Sequence, residues 1–210
     1  MQRLFAVLAA VAMACSASPA HCEWKAGIAK AVVTPQQPVW LSGYSGKRVP
    51  DGKLHDLWVK ALAIEDDHGH RAVVVTSDLI GFSRPAYVDL LSQLKQQYDL
   101  APADVLLTFS HTHSGPILRD SLLDYFPLDD EALALVNQYS QQLEATIVKV
   151  VGQAIADLGP CQLSTRTGQA TFAVNRRNNP EAEVAAMLAR GGPLAGPVDH
   201  SVPALATHAR

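Results

Sequence analysis

The apolar run Val105-Leu106-Leu107-Thr108-Phe109, followed at once by Ser110-His111-Thr112-His113-Ser114-Gly115-Pro116, constrains the fold of this chain more than any other stretch. A short apolar run closed by a Gly-Pro turn reads as a mostly buried β-strand. Upstream, Ser83 is placed to cap a helix and Pro85 sits at an early helical position, where its missing N–H costs least. Val88, Leu91, Leu94 and Tyr98 then recur at helical spacing and predict one buried face. Before that helix, residues 72–79 are nearly all apolar up to Asp78, the pattern of a strand buried on both faces. Strand, helix and strand in succession make a βαβ unit with a right-handed crossover. If its strands are parallel, Asp78 and His111 come to the same carboxyl edge.

That edge is where the chemistry concentrates. A strand alternates faces with period two, so His111 and His113 are expected to point the same way. Two imidazoles at a strand mouth can chelate one metal ion, most often zinc. Hydrogen-bonded surface histidines are the plain alternative. Ser110 and Ser114 supply hydroxyls that could partner the ring N–H groups. Two ligands are fewer than the roughly three protein ligands of a catalytic zinc.

The rest of the chain supplies a scaffold for such a site. Residues 27–33 and 57–65 read as strands, and Asp66-Asp67-His68-Gly69-His70 as the polar turn after the second. Residues 41–52 are a glycine-punctuated loop of the kind that carries function over a rigid scaffold. Asp129-Asp130-Glu131 opens the longest helix, with acidic groups at its positive end. Leu133, Val136, Leu143, Ile147, Val150 and Ile155 are its expected buried side, and Gly159-Pro160 its stop. Residues 161–176 suggest a hairpin or edge strands, and residues 183–189 a short helix. Residues 198–203 look like a chain entering a new strand, which cannot bury its face without a neighbour. The tail is expected to be frayed, or to belong to a larger domain. The fold class is α/β, a mixed sheet covered by helices and incomplete on its C-terminal side. The unpaired edge this leaves predicts self-association.

A net charge of −3 gives no basic footprint, so nucleic acid is not an expected partner. Arg3, the apolar run 4–14 and Ser18-Pro19-Ala20 have the layout of a secretory signal peptide over residues 1–20. The apolar centre is too short to span a bilayer, and a buried N-terminal helix is the alternative. Ala12-Met13-Ala14 before Cys15 is a poor lipid-attachment pattern. Export to the periplasm or outside the cell would leave Cys22 and Cys161, either as a disulfide or as separate thiols.

Together these segments resemble the N-terminal part of the neutral/alkaline non-lysosomal ceramidase family, the secreted zinc amidases that split N-acylsphingosine. The resemblance is carried by Ala26-Gly-Ile-Ala-Lys-Ala-Val-Val-Thr-Pro35, Leu41-Ser-Gly-Tyr44, His55-Asp-Leu-Trp-Val-Lys-Ala-Leu62, Val75-Thr-Ser-Asp-Leu79, Ser110-His-Thr-His-Ser-Gly-Pro116, Val174-Asn-Arg-Arg177 and Val198-Asp-His-Ser-Val-Pro203. They stand in the family's order and span most of residues 21–210, which it implies are the first portion of a catalytic domain. It implies Zn2+ as cofactor, with His111 and His113 as two ligands, a ceramide-like or other N-acyl amide substrate, and Arg176 beside that substrate. A guanidinium there would supply a rigid fork of donors to a substrate oxygen; a surface ion pair is the competing role. Asp78 and His55 lie in matching segments without an implied catalytic role, and Asp78 could orient a ligand imidazole.

The family's third zinc histidine, on a later strand, and its Glu, Tyr and serine segments have no counterpart among these residues. His208, in Ala206-Thr207-His208-Ala209, comes too soon after His200 to be assigned that role. The catalytic residues are therefore unknown, and the 210 residues alone are expected to have impaired amidase activity. The alternative is a secreted non-catalytic remnant or binding module that keeps the family fold. A metallo-β-lactamase-type hydrolase would have Asp-His where Ser114-Gly115-Pro116 stands, and a barrel amidohydrolase would carry the pair on its first strand.

Overall fold

A computed structural model describes residues 24–44, 46–121 and 123–209. Residues 1–20, Cys15 and Cys22 lie outside the described residues, and with them the signal peptide and one half of the proposed disulfide. Cys161, the other half, is buried.

The chain divides into two compact units, Met1–Cys161 and Gln162–Arg210. In the first, β1 (Trp24–Val32), β2 (Trp58–Glu65) and β3 (Arg71–Ser77) form an antiparallel meander, and β4 (Val105–Phe109) adds parallel to β3. The first residues of β5 (Gly159–Gln169) pair with β1 on its free side. The sheet is mixed, as the residue pattern predicts, and its parallel pair is the one joined by a helix, α1 (Arg84–Tyr98). A parallel pair needs such a crossover, whereas β2 and β3 need only a tight turn. Asp66 makes that turn by accepting the His68 and His70 backbone N–H groups at 2.9 and 2.8 Å, and Gly69 supplies φ +81°.

One face of the sheet is covered by α2 (Asp130–Ala156), which packs on β1 and β2 and against α1. Asp129 caps it, its carboxylate accepting the Ala132 N–H at 2.8 Å. The inward row of the sheet runs Val59, Ala61 and Ala63 on β2 opposite Ser77, Val75 and Val73 on β3, all buried. Small residues let the helix come close. A Cβ on Gly27 would lie 2.7 Å from the Leu158 backbone nitrogen, so no side chain fits there. Leu90, Leu94, Leu143, Ile147 and Val150 fill the layer between helices and sheet, each worth about 1.5–3 kcal/mol when fully buried. At the far end of the strands Lys25, Glu65 and Arg71 stand in one cross-strand row. Glu65 accepts from Lys25 and Arg71 at 2.7 Å each, and these two bonds hold its carboxyl below the usual range.

Three expectations change. β3 is not buried on both faces: Val73, Val75 and Ser77 are buried, but Thr76 is exposed. Only α2 covers β1 and β2 among the described helices, so the pattern of an all-parallel sheet does not apply. Val88 is half exposed, and α1 buries Ala86, Leu90, Leu91 and Leu94 instead. The tail is not frayed, because residues Ser201–Ala209 form β6, whose neighbour is β5.

The second unit consists of the later part of β5, α3 (Glu181–Ala189) and β6. Ala170 donates to the His200 carbonyl at 2.9 Å where the two strands meet. Asn179 is fully buried and bonds to the Asn175 carbonyl and to both backbone groups of Ala195. Asn175 Nδ2 donates to the Pro197 carbonyl at 2.9 Å, so two asparagine amides hold this unit's turn in place of an apolar core.

Candidate metal centre

β4 ends at Phe109, and its ladder to β3 is extended one step by the Ser110 N–H donating to the Ser77 carbonyl at 3.0 Å. The histidines therefore lie beyond the strand, and strand alternation is not what brings them together. His111 takes φ +54°, in the left-handed region. A non-glycine residue there is uncommon and is held by its surroundings. What holds this one is the ring itself: His111 Nδ1 lies 2.8 Å from the Ile80 carbonyl oxygen. A carbonyl only accepts, so Nδ1 is the donor, and in the neutral ring this leaves the Nε2 lone pair as the one a metal would use. The ring centroids of His111 and His113 are 5.4 Å apart with planes at 62°. Two imidazoles bound through nitrogen to one tetrahedral zinc at about 2.0–2.1 Å would have centroids roughly 5 Å apart.

His113 is fixed by the loop that the glycine pattern marks as functional. Leu41 bridges to Pro116, Ser42 donates its backbone N–H to the Gly115 carbonyl at 2.9 Å, and Ile117 donates to the Trp40 carbonyl at 2.8 Å. This zips residues 40–42 along 115–117 and delivers Gly43 and Tyr44 to the His113 ring. Gly43 has φ +92°, and a Cβ there would sit 2.6 Å from His113 Cδ2 and Nδ1. Tyr44 meets the same ring edge-on at 4.9 Å between centroids, and the Arg48 guanidinium carbon lies 4.5 Å over Tyr44. A cavity of about 700 Å³ runs beside the histidine segment, with Thr112, Ser114, Pro116, Arg48 and His55 among its lining residues.

The expected partners are only partly in place. The His111 ring is oriented by Ile80, not by Ser110, Ser114 or Asp78. Ser114 contributes its N–H to the Thr112 hydroxyl at 3.1 Å, closing the loop between the histidines. Asp78 accepts the Trp58 N–H at 3.0 Å and anchors the start of β2. His55 is exposed, with Nδ1 3.0 Å from the Asp56 carbonyl. Neighbouring Asp56 is held below the ordinary carboxylate range, first by its hydrogen bond from Lys53 and then by that from Thr34. Arg176, in the second unit, is exposed and pairs with Glu181 at 3.1 Å. His208 lies on β6. Gly43, Tyr44 and the Ile80 carbonyl were not singled out by residue type, although the Ser42-Gly43-Tyr44 loop carried a general functional signal. Among the described residues no group of three or more His, Cys, Asp or Glu side chains is arranged to hold a metal ion, so the pair fits two positions of a zinc site and leaves the others unfilled.

Comparison with known proteins adds an independent line. Residues 24–187 match the family described as neutral/alkaline non-lysosomal ceramidase, N-terminal. The neutral ceramidase of Pseudomonas aeruginosa is 27% identical over 160 residues, covering 74% of this chain and 23% of the relative. The crystal structure of neutral ceramidase from Pseudomonas aeruginosa superposes with a TM-score of 0.64 at 24% identity, over 90% of this chain and 30% of that one. A ceramidase complexed with C2 gives 0.62 at 24% identity, over 89% and 29%. The chain thus spans less than a third of the length of these relatives.

Proposed function

The chain belongs to the neutral/alkaline non-lysosomal ceramidase family, and on that premise we propose that it carries part of a zinc-dependent site for hydrolysing the amide bond of ceramide-like N-acyl lipids. The observation that carries this is the histidine pair: two rings 5.4 Å apart, one of them with Nδ1 bonded to the Ile80 carbonyl and Nε2 left free. His111 and His113 would hold the metal. When bound, zinc would supply Lewis-acid polarisation of the amide carbonyl, worth several kcal/mol of charge stabilisation. The chain's own residues prepare for it. The Ile80 carbonyl selects the His111 tautomer, and Gly43 and Tyr44 limit the orientations open to His113. Arg176 would donate to a substrate oxygen after releasing Glu181, at little cost because an exposed ion pair contributes only about 0–1 kcal/mol.

Secretion guided by residues 1–20 and self-association through an incomplete sheet edge belong to the same proposal. No described helix is long and apolar enough to cross a membrane. With only two ligands gathered among the described residues, the 210-residue chain by itself should turn over little substrate. That same observation favours, as a second reading, a secreted module that keeps the fold without the activity. Assay of a short-chain ceramide with excess zinc should give release of fatty acid near the no-protein blank. Robust, chelator-sensitive turnover would show that the chain completes its own metal site and would overturn the impaired-activity reading.

A further inference from the structure

Among the described helices, α2 covers only one face of the sheet in the first unit. On the other face, alternation and register place Ile28, Leu62, Val74 and Leu106 in one unbroken row across β1, β2, β3 and β4. Ile28 is 67% exposed and Leu106 57%, with the half-buried Leu62 and Val74 between them. Single exposed apolar residues are ordinary, but a contiguous apolar band marks an interaction surface. The next row along the strands sets Lys30 directly opposite Lys60, a like-charge pair that costs stability within a sheet. Neither lysine belongs to any ion pair among the described residues. Lys30 rests over the Trp58 ring at 5.0 Å instead. Beyond Ile64, the opposite end of this face closes in the Asp66–Asp67 turn. Asp66 is occupied by the His68 and His70 backbone N–H groups, whereas Asp67 Oδ1 lies 3.7 Å from His68 Nε2, outside hydrogen-bond range. The face is therefore positive at one end, apolar in the middle and negative at the other end.

We propose that this face packs on the same face of a second copy of the chain. Two kinds of two-fold axis lay the face on itself. An axis along the strands gathers all four lysines at one end, where they repel. An axis along the apolar row sends the lysines of each copy to the acidic turn of the other and sets Leu62 and Val74 against their own counterparts. The stem of Lys60 then crosses Ile64 of the second copy and brings its ammonium to Asp67, so opposite charges select this arrangement. Four strands about 4.8 Å apart, each about seven residues long, give roughly 450 Å² per copy in flat projection. Two copies then bury roughly 900 Å² or more, the size of a weak and reversible association. The contact uses the face and not an edge of the sheet, and it stands apart from amide hydrolysis. Sedimentation equilibrium of the full chain over the micromolar range should show a monomer–dimer equilibrium. Ile28→Glu, at an exposed position where folding is not at stake, should weaken it at least about tenfold by setting a charge against an apolar row. Lys60→Glu should weaken it at least about tenfold, because two acidic groups then meet at each end. The exchange Lys60→Glu with Asp67→Lys should restore association to within about threefold of wild type, as expected for a directly coupled pair. Circular dichroism should be unchanged throughout. A monomer over the whole range would leave the face to a different partner and overturn the proposal. A dimer indifferent to Ile28→Glu would be one made elsewhere, such as at a sheet edge, and failure of the charge exchange to restore the dimer would refute the two-fold arrangement; either result overturns the proposal.

Discussion

Replacing Arg119 with methionine is expected to destabilise the first unit by roughly 3–5 kcal/mol, the cost of stranding the partner of a buried ion pair. Arg119 Nε and Nη2 donate to the two carboxylate oxygens of Glu144 at 2.7 and 3.2 Å, and Glu144 is buried on α2. The Glu144 carboxylate, with Asp89 and Asp120 behind it, pushes the Arg119 pKa up from its already high value, so the pair cannot relax by losing its proton. Asp89 and Asp120 are about half exposed and add little. Methionine keeps the stem and removes every donor. Urea unfolding should show the loss as a lower midpoint, and a second change, Glu144→Leu, should restore most of it, since an apolar pair of similar volume often matches a buried ion pair. Equal midpoints for the wild type and Arg119→Met would mean that the pair is not holding the fold. The consequence reaches the candidate metal centre. Arg119 follows Gly115-Pro116-Ile117-Leu118, and its backbone N–H donates to the Ser140 hydroxyl on α2 at 2.9 Å. The segment that leaves the histidines is pinned to the longest helix at this residue.

Gly43→Ala is expected to weaken zinc binding by roughly 10–100-fold, the usual effect of disturbing the groups that orient a metal ligand. Alanine would pay first for a left-handed backbone, about 1–2 kcal/mol, and then for overlap with the His113 ring. Gly46 separates the two effects. It has φ +87° but no non-adjacent atom of the described residues within 4 Å of where a Cβ would go. Gly46→Ala should therefore show the stability loss of the backbone term with little change in zinc affinity. If the two substitutions weaken zinc equally, Gly43 does not position His113.

The βαβ unit and the parallel β3–β4 pair were legible because they rest on local signals: apolar runs, a serine cap, an early proline. The histidine pair stood out as a candidate ligand motif for the same reason. Its geometry was not legible, because φ +54° at His111 depends on a carbonyl 31 residues away, and no local pattern encodes that carbonyl. Arg119 and Glu144 read as ordinary charged residues in sequence. Their burial follows from a tertiary contact across 25 residues that no periodicity reveals. Val88 fits the helical stripe yet is half exposed, since the position of α1 on the sheet decides which edge of an apolar face is covered. The tail read as frayed or as part of a larger domain because, although residues 161–176 suggested edge strands, no local pattern shows that residues 201–209 lie beside them. Asn175 and Asn179 were invisible as structural residues because their partners, Ala195 and Pro197, lie in a Gly-Pro-rich stretch without pattern.

The most direct test is zinc titration against a chromophoric chelator, with wild type, His111→Ala and His113→Ala measured side by side. One zinc per chain, weakened at least about tenfold by each substitution with folding unchanged by circular dichroism, is the expected result. Absence of zinc binding in the wild type, or binding that neither substitution weakens, would contradict the assignment of His111 and His113 as its ligands.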